Sequence, residues 1–380
     1  MRRAATAALL GVLLAGCATF PEQGPREWRE QLEGTGELGG PPVVPETSPP
    51  PQTPPQPGQR GETGPQQPPS GCEDPDPQVV ATCLDPVGAI AVLPNAVSAL
   101  VGERRTGRVL RVEQGKDPEL VATVPVDPSG GGGLTGLVLS PSFIEDQLVY
   151  AYVTTPEDNR VVRLAAGEPP EPVFTGIPRG STNNAGALAS DVDGSLLVAT
   201  GDAGQVAPAP ESLAGKLLRI DLQGRPAERN PNPVSPVLSS GLQSPGGICV
   251  DPVRTTVWVT DRRFGEDALH LVVPGPLPSP AWRWPERPGV AGCAAQDGAV
   301  AVAQVQPESL FVIHSDGNNA FLGTPERVLE RAYGRLSAAT IAPDGLVWLG
   351  TVNKAGGSPV ASDDRVIRIQ PLASGGDNRQ

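Results

Sequence analysis

The feature that most constrains this chain is internal repetition: the body reads as six successive copies of one short β pattern. Each copy opens with a strand led by a small residue and follows with two more apolar strands. The first runs through Gly88, Ser98 and Gly107, and the second through Gly136, Leu148 and Arg160. The third runs through Gly186, Gly194 and Gly215, and the fourth through Gly247, Thr256 and Ala268. A weaker fifth has Gly292, Ala299 and Ser309, and the sixth has Ala338, Gly345 and Arg365. The period of about 45–60 residues lies in the range of propeller blades. Strands rich in Val, Ile and Leu alternate with Gly, Pro and Asp turns, and helical periodicity is absent. One small sheet cannot bury both of its faces alone, whereas blades packed radially bury each other's and leave only short edges. The expected fold is therefore all-β, a six-bladed β-propeller over residues 71–371. A β-sandwich is the competing all-β architecture, but it does not call for long regular repeats.

The N-terminus is of a different kind. Arg2 and Arg3 precede an uncharged apolar run from Ala4 to Ala15, which ends in the small residues before Cys17. This is the three-part plan of an export signal. The run is shorter than the ~20 apolar residues a membrane span needs. Leu14 to Cys17 matches a bacterial lipobox, so residues 1–16 read as a cleaved signal peptide and Cys17 as the lipidated first residue. An ordinary secretory signal with an incidental cysteine is the plainer alternative. Residues 17–70 follow with Pro49 to Pro51, Pro54, Pro55, Pro68 and Pro69 among polar residues. Proline favours extended polyproline backbone, and too few apolar groups are present to offset ordering entropy. That segment is expected to be a disordered spacer, with residues 372–380 a disordered tail. The chain is thus expected outside the cytoplasm, tethered to the cell membrane by palmitate-type acyl chains.

A formal charge of −13 argues against nucleic acid as a partner. Only two histidines occur, His270 and His314, too few for a multi-histidine metal site. Of the five cysteines, Cys17 takes lipid, and four remain in an oxidising compartment. Three pairings are possible. The expected one joins Cys72 to Cys83 at the domain start and Cys249 to Cys293 as a longer bridge.

Gly131 to Phe143 followed by Asn159 to Arg163, Asp193 to Asp202, Gly215 to Asp221, and Gly334 to Ser337 followed by Pro343 to Gly345 resemble the glucose/sorbosone dehydrogenase family of soluble quinoprotein sugar dehydrogenases. With the lipobox, spacer and remaining cysteines, the whole chain resembles actinobacterial LppZ-type lipoproteins. The resemblance implies a six-bladed propeller that holds pyrroloquinoline quinone (PQQ) and calcium and oxidises a sugar hydroxyl. A histidine serves as base, an aspartate orients it, and arginines hold the anionic cofactor. On that pattern the base position is Asn183, within Asn183 to Ala187, and Asp202 is the orienting acid. An amide cannot act as a general base near neutral pH. A cofactor-binding arginine position carries Gln243, and Arg335 matches a cofactor arginine. The calcium-carrying segment is here Asp261 to Phe264, where Arg262 and Arg263 repel a cation.

Other features carry less. His270 lies in an alternating strand and reads as structural or surface, and His314 as part of a turn. Gly130 to Gly133 lacks the context of a phosphate loop and reads as a tight turn or close backbone approach. Ser140 and Ser181 are not in a nucleophile elbow. Trp282, Trp284 and Pro285 suit either a sugar platform or a core between blades. Arg262, Arg263 and Arg335 suggest an anion pocket, set against a solvated loop for the first two. The leading expectation is a non-catalytic envelope protein whose central face binds a small molecule, a glycan or another envelope protein, with no resident metal. The alternative is a PQQ-dependent aldose dehydrogenase with a rearranged site.

Overall fold

The computed structural model describes residues 71–370 and 372. The expected signal peptide, Cys17, the spacer and residues 373–380 lie outside the described residues. Among those described, no helix is long and apolar enough to cross a membrane.

Six antiparallel sheets form the blades of a propeller. Their inner strands are Val87–Val92, Leu134–Leu139, Gly186–Ser190, Pro245–Asp251, Val290–Gln296 and Leu336–Ile341. Each touches the inner strands of its two neighbours, and the last touches the first, which closes the ring. The blades count from the one that starts at Val87. The third borrows an extra parallel strand, Gly275–Pro276, from the chain of the fourth. The sixth takes its outer strand from the start of the domain: Val79–Ala81 pairs with Val366–Ile369, so the two ends of the body are zipped together.

Burial explains why the repeats read as continuous apolar runs rather than alternations. The second strands Ser98–Glu103, Val149–Thr154, Leu196–Thr200, Ala299–Gln304 and Val347–Thr351 are buried at every position. Both faces of such a strand pack on neighbouring blades, so neither side tolerates a polar residue in mid-strand. Outer strands such as Glu119–Thr123 are exposed and lose the pattern. The small residue that leads each repeat has a matching reason. A Cβ on Gly88 would sit 2.0 Å from the Leu134 carbonyl oxygen, and one on Gly292 would sit 2.8 Å from the Ala338 Cα. Inner strands converge at the axis, and at these glycines only a missing side chain lets them approach this closely.

Both expected disulfides are present. Cys72–Cys83 closes the entry to the domain, and Cys249–Cys293 links the inner strands of blades four and five.

Candidate functional site

In a four-stranded antiparallel blade, the link into the inner strand and the loop between the second and third strands emerge at the same end. Across all blades these loops therefore share one face of the propeller. A cavity of about 450 Å³ opens there. Arg104 comes from the first blade's loop, Gly130 and Gly131 from the link into the second, and Thr182 and Asn183 from the link into the third. Gln243 and Ser244 lead into the fourth blade, Arg262 ends its second strand, Arg263 and Phe264 belong to the loop that follows, and Arg287 lies in the link to the fifth. Four guanidinium groups line this cavity and no carboxylate does.

The arginines are held in different ways. Arg104 donates from Nε to the Gly132 carbonyl at 3.0 Å and from its terminal nitrogen to the Gly131 carbonyl. Burial and the nearby charge of Arg262 push its pKa down to about 10. Arg262 makes no ion pair or side-chain hydrogen bond among the described residues, and its buried Nε lacks a partner. Burial lowers its pKa as well. Arg263 lies 3.8 Å from Asp261 and 3.7 Å from Glu266, both long for an ion pair. Positive charge is thus concentrated at one place on an acidic chain, offset only by Asp261, Asp267 and Glu266 behind the cavity wall.

Beneath this layer Asp261 is fully buried. Its carboxylate accepts from the backbone nitrogens of Gln243 at 3.1 Å and Ser244 at 2.7 Å, which fixes the link that contributes both residues to the cavity. Burial raises its pKa to about 6, partly offset by those two bonds and by Arg263 and Arg262. His270 lies below it, 3% exposed, with Nε2 3.8 Å from the carboxylate. Neither ring nitrogen has a hydrogen-bond partner. Burial, reinforced by Arg263 and Arg283, lowers its pKa to about 4, so the imidazole is neutral and the pair is not an ion pair near neutral pH. His270 is therefore an interior residue under the site and not a surface one.

Asn183 and Asp202 come together. The Asn183 amide donates to the Asp202 carboxylate at 2.9 Å, and the same oxygen accepts from the Gly204 nitrogen at 2.7 Å. Asn183 adopts a left-handed backbone, φ 54°, which asparagine tolerates better than most residues. Gln243 lines the cavity, and its side-chain oxygen accepts from the Phe264 backbone nitrogen. Arg335 stands apart: it donates to the Gly356 carbonyl and is not among the cavity-lining residues. The basic pocket expected from Arg262, Arg263 and Arg335 thus forms around the first two, with Arg104 and Arg287 in place of Arg335. Repeat position could have found Arg104, which follows Glu103 just as Arg262 follows Asp261 at the equivalent place in blade four; Arg287 carries no such signal.

The remaining expectations resolve as structure. Trp282–Trp284 is the outer strand of blade four, and both indoles pack on Phe311 at ring centroid distances of 5.6 and 5.1 Å. They are core between blades four and five. His314 lies within the strand Ser309–Ser315 and not in the following turn. Gly133 has φ 102°, and a Cβ there would sit 2.1 Å from the Arg104 carbonyl oxygen, so the glycine run is a close backbone approach. The Ser140 hydroxyl donates to Asp146, which ties down a surface loop.

A family model described as Glucose / Sorbosone dehydrogenase matches residues 84–286. The PQQ-bound aldose sugar dehydrogenase of Streptomyces coelicolor is 32% identical, with 80% of this chain and 99% of that chain covered at a TM-score of 0.72. A putative oxidoreductase (glucose dehydrogenase) of Thermus thermophilus is 30% identical, with 77% and 98% covered at a TM-score of 0.70. The soluble aldose sugar dehydrogenase of Escherichia coli, 21% identical with a TM-score of 0.66 over 77% of this chain and 99% of that one, shares the fold. No curated protein matches the chain.

Proposed function

This chain belongs to the glucose/sorbosone dehydrogenase family, and from that premise we propose that it is a non-catalytic, ligand-binding member tethered to the outside of the cell membrane through Cys17. The observation that carries the reading is the lining of the cavity. It holds four arginines and, at the position the family resemblance assigns to the base, the amide of Asn183. Arginine and amide side chains do not accept a proton near neutral pH, so no lining side chain can take one from a sugar hydroxyl. Asp202 keeps an orienting contact, but what it orients is an amide.

The family's cofactor pair was weighed against these residues. A polycarboxylate such as PQQ suits a cluster of guanidinium groups with an unpartnered Nε among them. A calcium ion does not suit it, because the charged side chains that line the cavity are all arginines, and they repel a cation. The residues therefore favour an anion without its metal. Function is argued from such a site rather than from the fold, which hosts many activities.

The deciding experiment supplies purified protein with PQQ, calcium, a redox dye and glucose or another aldose. The expected result is no dye reduction above the protein-free blank. Sustained turnover would refute the proposal and favour the second reading, a rearranged PQQ-dependent dehydrogenase. The anion-friendly lining is what recommends that alternative. It further requires PQQ binding by calorimetry and loss of turnover in Asp202→Ala.

A further inference from the structure

We infer that the cavity recognises a sugar bearing an anionic group, a carboxylate or a phosphate, rather than a neutral aldose or a bare anion. The inference rests on the reading of this site as a binding site and specifies its ligand class.

The charge comes first. Elsewhere in the molecule arginines meet carboxylates, as Arg108 meets Glu103 at 2.7 Å, Arg219 meets Asp191 at 3.4 Å and Arg365 meets Asp74 at 3.0 Å. At the cavity Arg104 and Arg262 both line the wall, the charge of Arg262 disfavours charge on Arg104, and neither makes an ion pair with a carboxylate among the described residues. Arg287 likewise makes no ion pair or side-chain hydrogen bond there, on a left-handed backbone with φ 53°. Gathering like charges costs free energy unless a counter-charge arrives, and a guanidinium fork matches the two oxygens of a carboxylate or phosphate.

A second observation points to the rest of the ligand. Phe264, which lines the same cavity, is 93% exposed, the most exposed aromatic ring among the described residues. Its backbone nitrogen donates to the Gln243 side chain, which anchors the residue at the rim. A bare anion gains nothing from a phenyl face, whereas the apolar face of a sugar ring packs well on one. The same lining includes Thr182, Asn183, Gln243 and Ser244, neutral groups that pair with hydroxyls. Apolar surface, hydroxyl partners and cations in one cavity of about 450 Å³ match a charged monosaccharide or the end of a charged glycan.

Calorimetry on the whole protein tests this with D-glucuronate, glucose 6-phosphate, glucose, citrate and inorganic phosphate. The expected result is that at least one sugar anion binds ten-fold or more tighter than glucose and than either non-sugar anion. The two sugar anions separate carboxylate from phosphate recognition. Phe264→Ala is expected to weaken that sugar anion about five-fold and leave inorganic phosphate unchanged. Arg262→Gln and Arg287→Gln should each weaken both by ten-fold or more. Citrate or phosphate binding as tightly as the sugar anions, with no effect of Phe264→Ala, would overturn the sugar assignment yet leave a non-catalytic anion site. Glucose binding as tightly as the sugar anions would overturn the charge assignment, and no binding by any probe would overturn the inference outright. None of these outcomes depends on dye reduction, which alone decides the reading beneath.

Discussion

Replacing His270 with leucine should change how stability depends on pH, because two buried groups under the cavity titrate against each other. Asp261 has a folded pKa of about 6, raised by burial from an ordinary 3.8. The folded protein therefore holds a proton there that the unfolded chain has already lost, and stability falls as pH rises from about 4 to 6. His270 has a folded pKa of about 4, lowered by burial from 6.5. Here the unfolded chain gains the proton first, so stability rises over nearly the same interval. At about 1.4 kcal/mol per pH unit, each slope spans ~3 kcal/mol. In the wild type they nearly cancel. In His270→Leu the rising slope is removed and the falling one is left bare. Relative to wild type, the variant should gain ~3 kcal/mol of stability on going from pH 7 to pH 4. Urea unfolding of both proteins at pH 4, 5, 6 and 7, followed by tryptophan fluorescence, measures this directly. Parallel stability curves for the two proteins would refute the argument, since they would mean that His270 carries the same charge folded and unfolded throughout.

Two further predictions concern how the body is braced and delivered. Replacing Cys249 and Cys293 by serine frees a loop of 44 residues' separation and should cost about 4 kcal/mol in urea unfolding, against about 3 kcal/mol for the Cys72–Cys83 pair with its separation of 11. Cys17→Ser should abolish incorporation of labelled palmitate and move the protein from the membrane pellet to the soluble fraction; unchanged labelling would exclude Cys17 as the acylated residue.

The fold was legible because each blade repeats the same burial problem. Three strands per blade are sandwiched, and their apolar runs recur in the sequence. The fourth is either exposed or too short to repeat the pattern. Glu119–Thr123 is exposed at most positions, and Val79–Ala81 is only three residues long, so neither leaves a periodic signal. The resemblance singled out Asn183 and Asp202, and the loops at the cavity face bring their side chains within 2.9 Å of each other. The arginine cluster was only half readable, because Arg104, Arg263 and Arg287 are far apart in sequence and meet only when the ring closes.

A more general signal lies one layer below the cavity, at the same position in every repeat. Where the second strand of each blade reaches the cavity face, the residue is polar and fully buried: Glu103, Thr154, Thr200, Asp261, Gln304 and Thr351. All but Gln304, whose amide nitrogen lacks a partner, spend their side-chain hydrogen bonds within their own blade or the link into it. Glu103 takes Arg108 and the Asp85 nitrogen, Thr200 bonds the Lys216 nitrogen, and Thr351 donates to Asp364. A buried polar group without a partner costs about 1–3 kcal/mol, so these positions are fixed by the need to hold the loops. The layer above them has no such constraint. Its residues face the cavity, and Asn183, Arg262, Arg263 and Arg287 can occupy it while the propeller beneath keeps its packing. That separation is the physical reason a family scaffold can persist intact while the residues that face its centre change.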